Sequence, residues 1–147
     1  MNHRHRLPSV FILLALSLGA ADEAPPPRDW IDAKTGHRVI RLSPDEGAGS
    51  LYFHQNALTP EGDKVILRGR QGTLVVDISK LGLEPPKPEL LTSAPPITTA
   101  WRTREAYYVD RANGSLMAVH LDTRANRLVT RIPAQARGGQ WAVNCDE

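Results

Sequence analysis

Tyr52-Phe53-His54-Gln55-Asn56-Ala57-Leu58-Thr59-Pro60-Glu61-Gly62-Asp63-Lys64-Val65-Ile66-Leu67 reads as a strand, a polar turn and a second strand. Pro60 presets the backbone angle of the turn, Gly62 permits positive φ, and the acidic and hydroxyl side chains around them satisfy local amides. The pattern returns downstream. Placing Leu67 on Val109 also places Gly72 on Gly114, an offset of about 42 residues, and about twice that offset carries Ala57-Leu58 onto Ala142-Val143. A period of about 40 to 45 residues with several short strands per unit is the signature of β-propeller blades. The expected fold class is therefore all-β, a β-propeller, with under three blades in this chain where a closed ring takes about four to eight.

Working outward, blade one covers about 51–92. Its strands are expected at Tyr52 to Leu58, Lys64 to Arg68, Thr73 to Ser79 and, past a proline-rich connector from Leu83 to Pro88, Glu89 to Thr92. Blade two covers about 97–132, with strands at Ile97 to Trp101, Glu105 to Val109, Ser115 to Leu121 and Leu128 to Ile132, and Asn113-Gly114 as a hairpin turn. Gln140 to Asn144 begins a third blade over 140–147. Runs such as Leu74-Val75-Val76-Asp77-Ile78 are β-branched and too short for a stable helix. Upstream, 22–34 reads as a proline-rich lead-in, and Thr35-Gly36 turns into a strand at Val39-Ile40-Arg41-Leu42 that is expected to join the last blade.

The amino terminus speaks to compartment. His3, Arg4, His5 and Arg6 make a basic head, Val10 to Leu18 an apolar run, and Gly19-Ala20-Ala21 a small-residue cleavage site, so 1–21 reads as a secretory signal peptide. Asp22, Glu23 and Pro25-Pro26-Pro27 follow too soon for a membrane anchor. The expected location is periplasmic or secreted, with no membrane association after cleavage. The formal charge of +2 comes from Arg4 and Arg6, because the other 16 Lys and Arg balance 16 Asp and Glu, which leaves no basic patch for nucleic acid. Cys145 is alone, excluding an internal disulfide, and reads as a small apolar residue.

The residues Thr35-Gly36, Arg41-Leu42, Tyr52 to Lys64 and Trp141-Ala142-Val143-Asn144, at their separations, resemble the start of an oligogalacturonate lyase. The resemblance covers nearly all of the chain after the signal segment and corresponds to about the first third of such an enzyme, whose fold is a seven-bladed propeller. It implies a lyase of pectin catabolism that cleaves short α-1,4-linked galacturonates by β-elimination. That reaction needs a base for the proton beside the carboxylate and a cation for the charge that builds there. It also implies a manganese-type divalent ion held by histidines and a glutamine. The family places those residues in later blades, so no metal ligand and no catalytic residue is assigned here, and the chain alone is expected to be inactive. The acidic oligosaccharide is the implied partner.

Three residues stand as candidate substrate contacts. His54 and Gln55 lie on an expected inner strand, where propellers line their central channel, and strict alternation would let only one of them face a given surface. Arg102 and Arg104 flank a turn and offer anion contacts, with solvated surface charge the leading reading for both, and Arg102 stands with the candidates. His120 and the aromatics Trp101 and Trp141 read as structural, the two tryptophans as inter-blade core. The alternative to a lyase is a noncatalytic propeller module that binds a protein or a saccharide. Open blade edges in a partial ring imply self-association.

Overall fold

The computed structural model describes residues 27–44, 47–136 and 142. The expected signal peptide, Trp141, Cys145 and, apart from Ala142, the start of a third unit lie outside the described residues. Within them the fold is all-β, with three antiparallel sheets, none of them closed.

Asp29–Ile31 (β1) and Arg38–Ile40 (β2) form a hairpin. Its turn is built by the Asp32 carboxylate, which accepts from the Thr35 amide and hydroxyl at 2.8 Å each, and by Gly36 at φ 70°. The stretch read as a lead-in thus supplies a strand. The strand expected at Val39 to Leu42 begins one residue earlier, ends at Ile40, and pairs with β1 rather than with a larger sheet.

The three-stranded sheet has Lys64–Gly69 (β3), Gly72–Asp77 (β4) and Glu89–Thr92 (β5) in chain order. The four-stranded sheet has Pro96–Thr99 (β6), Glu105–Asp110 (β7), Ser115–His120 (β8) and Asn126–Arg131 (β9), again in chain order, and Ala134–Ala136 adds a 3-10 turn. These seven strands fall where the hydrophobic patterning puts them. The strand expected at Tyr52 to Leu58 does not form. Only single bridges, Gly49 to Arg68 and Leu58 to Val65, flank β3 on that side, and residues between them leave the ladder as a turn. The cause is local: the Gln55 side-chain oxygen takes the Tyr52 amide at 3.0 Å while the Gln55 amide donates to the Tyr52 carbonyl at 2.8 Å, so those groups are unavailable to β3.

Period-two alternation decides the packing. Ile66 of β3, Val75 of β4 and Leu91 of β5 project from one face of the three-stranded sheet against Ala106 of β7, Val119 of β8 and Leu121 just beyond it. Ile66, Val119 and Leu121 are fully buried there. The opposite face of the three-stranded sheet, carrying Leu67, Leu74 and Val76, is covered in part by Leu42 and Ala48. Trp101, expected in the inter-sheet core, is instead 51% exposed, because the chain leaves β6 at Thr99 and turns through 101–104 before β7.

One glycine is sterically required. At Gly72, φ is 137° and a Cβ would lie 2.1 Å from the Thr92 carbonyl oxygen, since the β3–β4 turn is pressed against the end of β5. Gly62 also has positive φ, 71°, but open space around its Cβ position. Gly72→Ala should therefore cost about 2–4 kcal/mol and Gly62→Ala only about 1 kcal/mol. Urea midpoints of the two variants against the parent chain check the difference.

Candidate functional site

The turn that replaces the expected inner strand carries the most exposed aromatic cluster of the described residues. Tyr52 is 63% and Phe53 86% exposed. Their ring centroids are 4.6 Å apart, and the His54 ring stands edge-on to Tyr52 at 5.0 Å and to Phe53 at 5.3 Å. Beside it opens a groove of about 810 Å³, with Tyr52, His54 and Gln55 on one wall, Pro96 and Ile97 at the start of β6 on the other, and Arg68 of β3 at its rim. Arg68 is exposed and forms no salt bridge among the described residues. A guanidinium, an imidazole, an amide and an aromatic face therefore border one concave surface, a combination suited to a polar ligand with an anionic group and an apolar face.

Asn56 fixes the two walls relative to each other. Its carbonyl accepts from the Thr99 amide at 2.8 Å and from the Thr98 hydroxyl at 3.1 Å, while its side-chain amide donates to the Leu58 carbonyl at 2.8 Å and reaches the Thr99 carbonyl at 3.4 Å.

At the other end of the sheets, Arg104 joins the two units. From the β6–β7 turn its Nη1 and Nη2 donate to both Asp63 carboxylate oxygens at 2.8 Å, Nη1 also to Glu61 at 2.6 Å, and Nε to Asp122 at 2.6 Å. Lys64 closes the network on Asp122, and the Thr59 hydroxyl donates to Asp63 at 2.6 Å. Arg104, then Thr59, hold the Asp63 carboxyl well below the usual carboxylate range. Arg104, then Lys64, do the same for Asp122, and Asp63 and Asp122 in turn raise the Arg104 guanidinium. The reading of Arg104 as a solvated charge is thereby corrected: only 24% of its side chain is exposed, and it is the hub of an inter-sheet clamp. Its contacts to Glu61 and Asp63 span 43 and 41 residues, and those of Asn56 to Thr98 and Thr99 span 42 and 43. These separations match the sequence period. Stacked repeats bring residues one period apart into contact, and that signal was available for pairing Arg104 with the acidic turn.

The remaining candidates separate. His54 and Gln55 meet at the groove, and the alternation argument that set them on opposite faces fails because they sit in a turn. Arg102 is exposed in the 101–104 turn and does not line the groove. Arg68, named from the sequence only as the end of an expected strand, takes the cationic place. His120 is structural: its Nδ1 accepts from the Asp122 and Thr123 amides at 3.2 and 3.3 Å, capping the turn that presents Asp122 to the clamp.

No protein-family model, curated protein or solved structure matches this chain. Among the described residues no group of three or more His, Cys, Asp and Glu is placed to hold a metal ion. His37, His54 and His120 lie on separate elements, the β1–β2 turn, the aromatic turn and β8. Among the same residues no helix is long and apolar enough to cross a membrane.

The clamp predicts a pH dependence. A carboxyl held below its unfolded value of about 4 contributes stability that is complete above that pH and is lost as pH falls below it. The parent chain should therefore lose stability progressively below about pH 5, and Arg104→Ala should flatten that slope while costing about 2 kcal/mol at neutral pH, a figure reduced for the partial exposure of the partners. Denaturant unfolding at several pH values reads both effects.

Proposed function

We propose that this chain is the substrate-binding part of an exported oligogalacturonate lyase-like protein, its two larger sheets being consecutive propeller blades and its groove the place where an acidic oligosaccharide is held. The observation that carries the reading is the grouping of Arg68, His54 and Gln55 around one groove beside the exposed Tyr52 and Phe53 rings. A uronate unit offers a carboxylate for the planar fork of Arg68 and hydroxyls for the amide of Gln55. The apolar C–H face of a pyranose packs on an exposed aromatic ring. A neutral sugar lacks the first of these, so the groove favours galacturonate over galactose. Inter-sheet contacts recurring at the sequence period support the propeller, since blades bury their faces only against neighbouring blades.

β-Elimination also requires a base and a cation at the reacting uronate. The described residues supply binding groups for the carboxylate but not the implied metal centre, so the role proposed for them is recognition. A noncatalytic saccharide-binding module uses the same groove and is separated from the lyase by chemistry rather than affinity.

Isothermal titration of trigalacturonate into the full chain should show saturable binding that digalactose and trigalactose lack. Arg68→Ala should weaken it about tenfold and Tyr52→Ala about three- to tenfold. Equal affinity for the neutral oligosaccharides, or indifference to Arg68→Ala, would refute uronate recognition. Appearance of the unsaturated, ultraviolet-absorbing product with added manganese would establish the lyase, and binding without turnover the module.

A further inference from the structure

We infer that a second, separate site, a cavity of about 200 Å³ beneath the proline-rich connector between β4 and β5, binds a compact oxyanion through Arg124 and Lys87. The cavity lies where the connector, the start of β3 and the β8–β9 turn meet. Four cationic side chains line it, Lys64, Lys80, Lys87 and Arg124, against three carboxylates, Asp77, Glu84 and Glu89.

Most of those charges are already matched. Lys64 is held by Asp122, Lys80 lies 3.8 Å from Glu84, Arg124 Nη2 donates to Glu89 at 2.5 Å, and Asp77 accepts from the Ser79 hydroxyl at 2.6 Å. Two donors remain. Lys87 forms no ion pair among the described residues, and Arg124 Nη1 is buried with no hydrogen-bond partner. A buried guanidinium N–H without an acceptor is costly, and in a polar cavity it marks the place of a water or an anion. With Lys64 held by Asp122, Lys80 by Glu84 and Arg124 Nη2 by Glu89, the Lys87 ammonium that lines the same cavity is the cation left to favour an anion. Arg124 also sits at φ 63°, a left-handed conformation uncommon outside glycine and asparagine. From that turn its Nη2 reaches Glu89 at the start of β5, while Nη1 is left without a partner.

An inorganic phosphate and the carboxylate of a uronate present the same chemistry to this site, so both are titrated, separately, into the full chain at fixed ionic strength. Saturable binding of at least one is expected. Phosphate binding without galacturonate binding assigns a free inorganic anion, the reverse assigns a uronate carboxylate, and binding of both assigns a general oxyanion site. Arg124→Gln, checked for folding by circular dichroism, should weaken binding about tenfold or more. Should that variant not fold, Lys87→Ala decides, because its side chain is on an exposed connector: weakened binding supports the site and unchanged affinity overturns it. Absence of binding with either anion, or unchanged affinity in a folded Arg124→Gln, overturns the site and leaves water as the occupant. The galacturonate titrations are made in the Arg68→Ala background, where the groove is weakened for uronates, so that the further loss caused by Arg124→Gln is read at this site, and phosphate binding should be unchanged by Arg68→Ala, which keeps its failure distinct from that of the proposed saccharide site.

Discussion

Face-to-face burial of two sheets is the constraint on which the rest of this structure depends. Among the described residues no α-helix covers either sheet, and Ile66, Val75 and Leu91 leave water against Ala106, Val119 and Leu121. Each large aliphatic side chain removed from water there contributes about 1.5–3 kcal/mol. The contact is non-directional, and two polar links beside it supply direction. Asn56 binds the first strand of the four-stranded sheet at one place, and Arg104 grips the acidic turn of the three-stranded sheet at another. Small Ala106 opposite larger Ile66 and Val75 lets the sheets approach, and the clamp then fixes how they slide.

The groove is a by-product of that stacking. Its walls come from segments one period apart, and it is lined by side chains that a regular strand would have divided between two faces. The turn at Tyr52 to Gln55 gives up ladder hydrogen bonds to β3 and in return places the Tyr52, His54 and Gln55 side chains on one surface. Departure from regular structure at a site that gathers polar and aromatic groups is the usual place for a local rule to be broken in favour of a ligand. Arg68 belongs to the same surface because Gly49, bridging to it across the broken edge, has no side chain to cover it.

Much of the fold was legible in residue order. The alternation in Lys64 to Leu67, the β-branched run at Leu74 to Ile78, the Asn113-Gly114 turn and the repeat offset locate the seven strands of the two larger sheets to within a residue or two. Less of the site was legible. His54 and Gln55 were recognisable as polar residues in an unusual place, but their shared orientation followed from a side-chain-to-backbone bond at Gln55 that alternation does not encode. Arg104 read as an ordinary surface arginine because its partners are 18 to 43 residues away. Trp101 read as core because aromatics usually are, whereas the early end of β6 left it in a turn.

The sequence by itself determined strand identity, turn positions and the period, because those depend on side-chain chemistry within a few residues and on a pleat that repeats every two. The tertiary structure alone decided which arginine is a clamp and which borders a groove. Arg68, Arg102 and Arg104 share the same side chain and the same intrinsic preferences. They differ only in what folding brings around them: a concave surface for Arg68, a place in an exposed turn for Arg102, and for Arg104 two carboxylates of the neighbouring unit and one of its own. Coulombic and hydrogen-bond terms act through space over a few ångströms, so the role of a charge is set by the chain that folding brings alongside it.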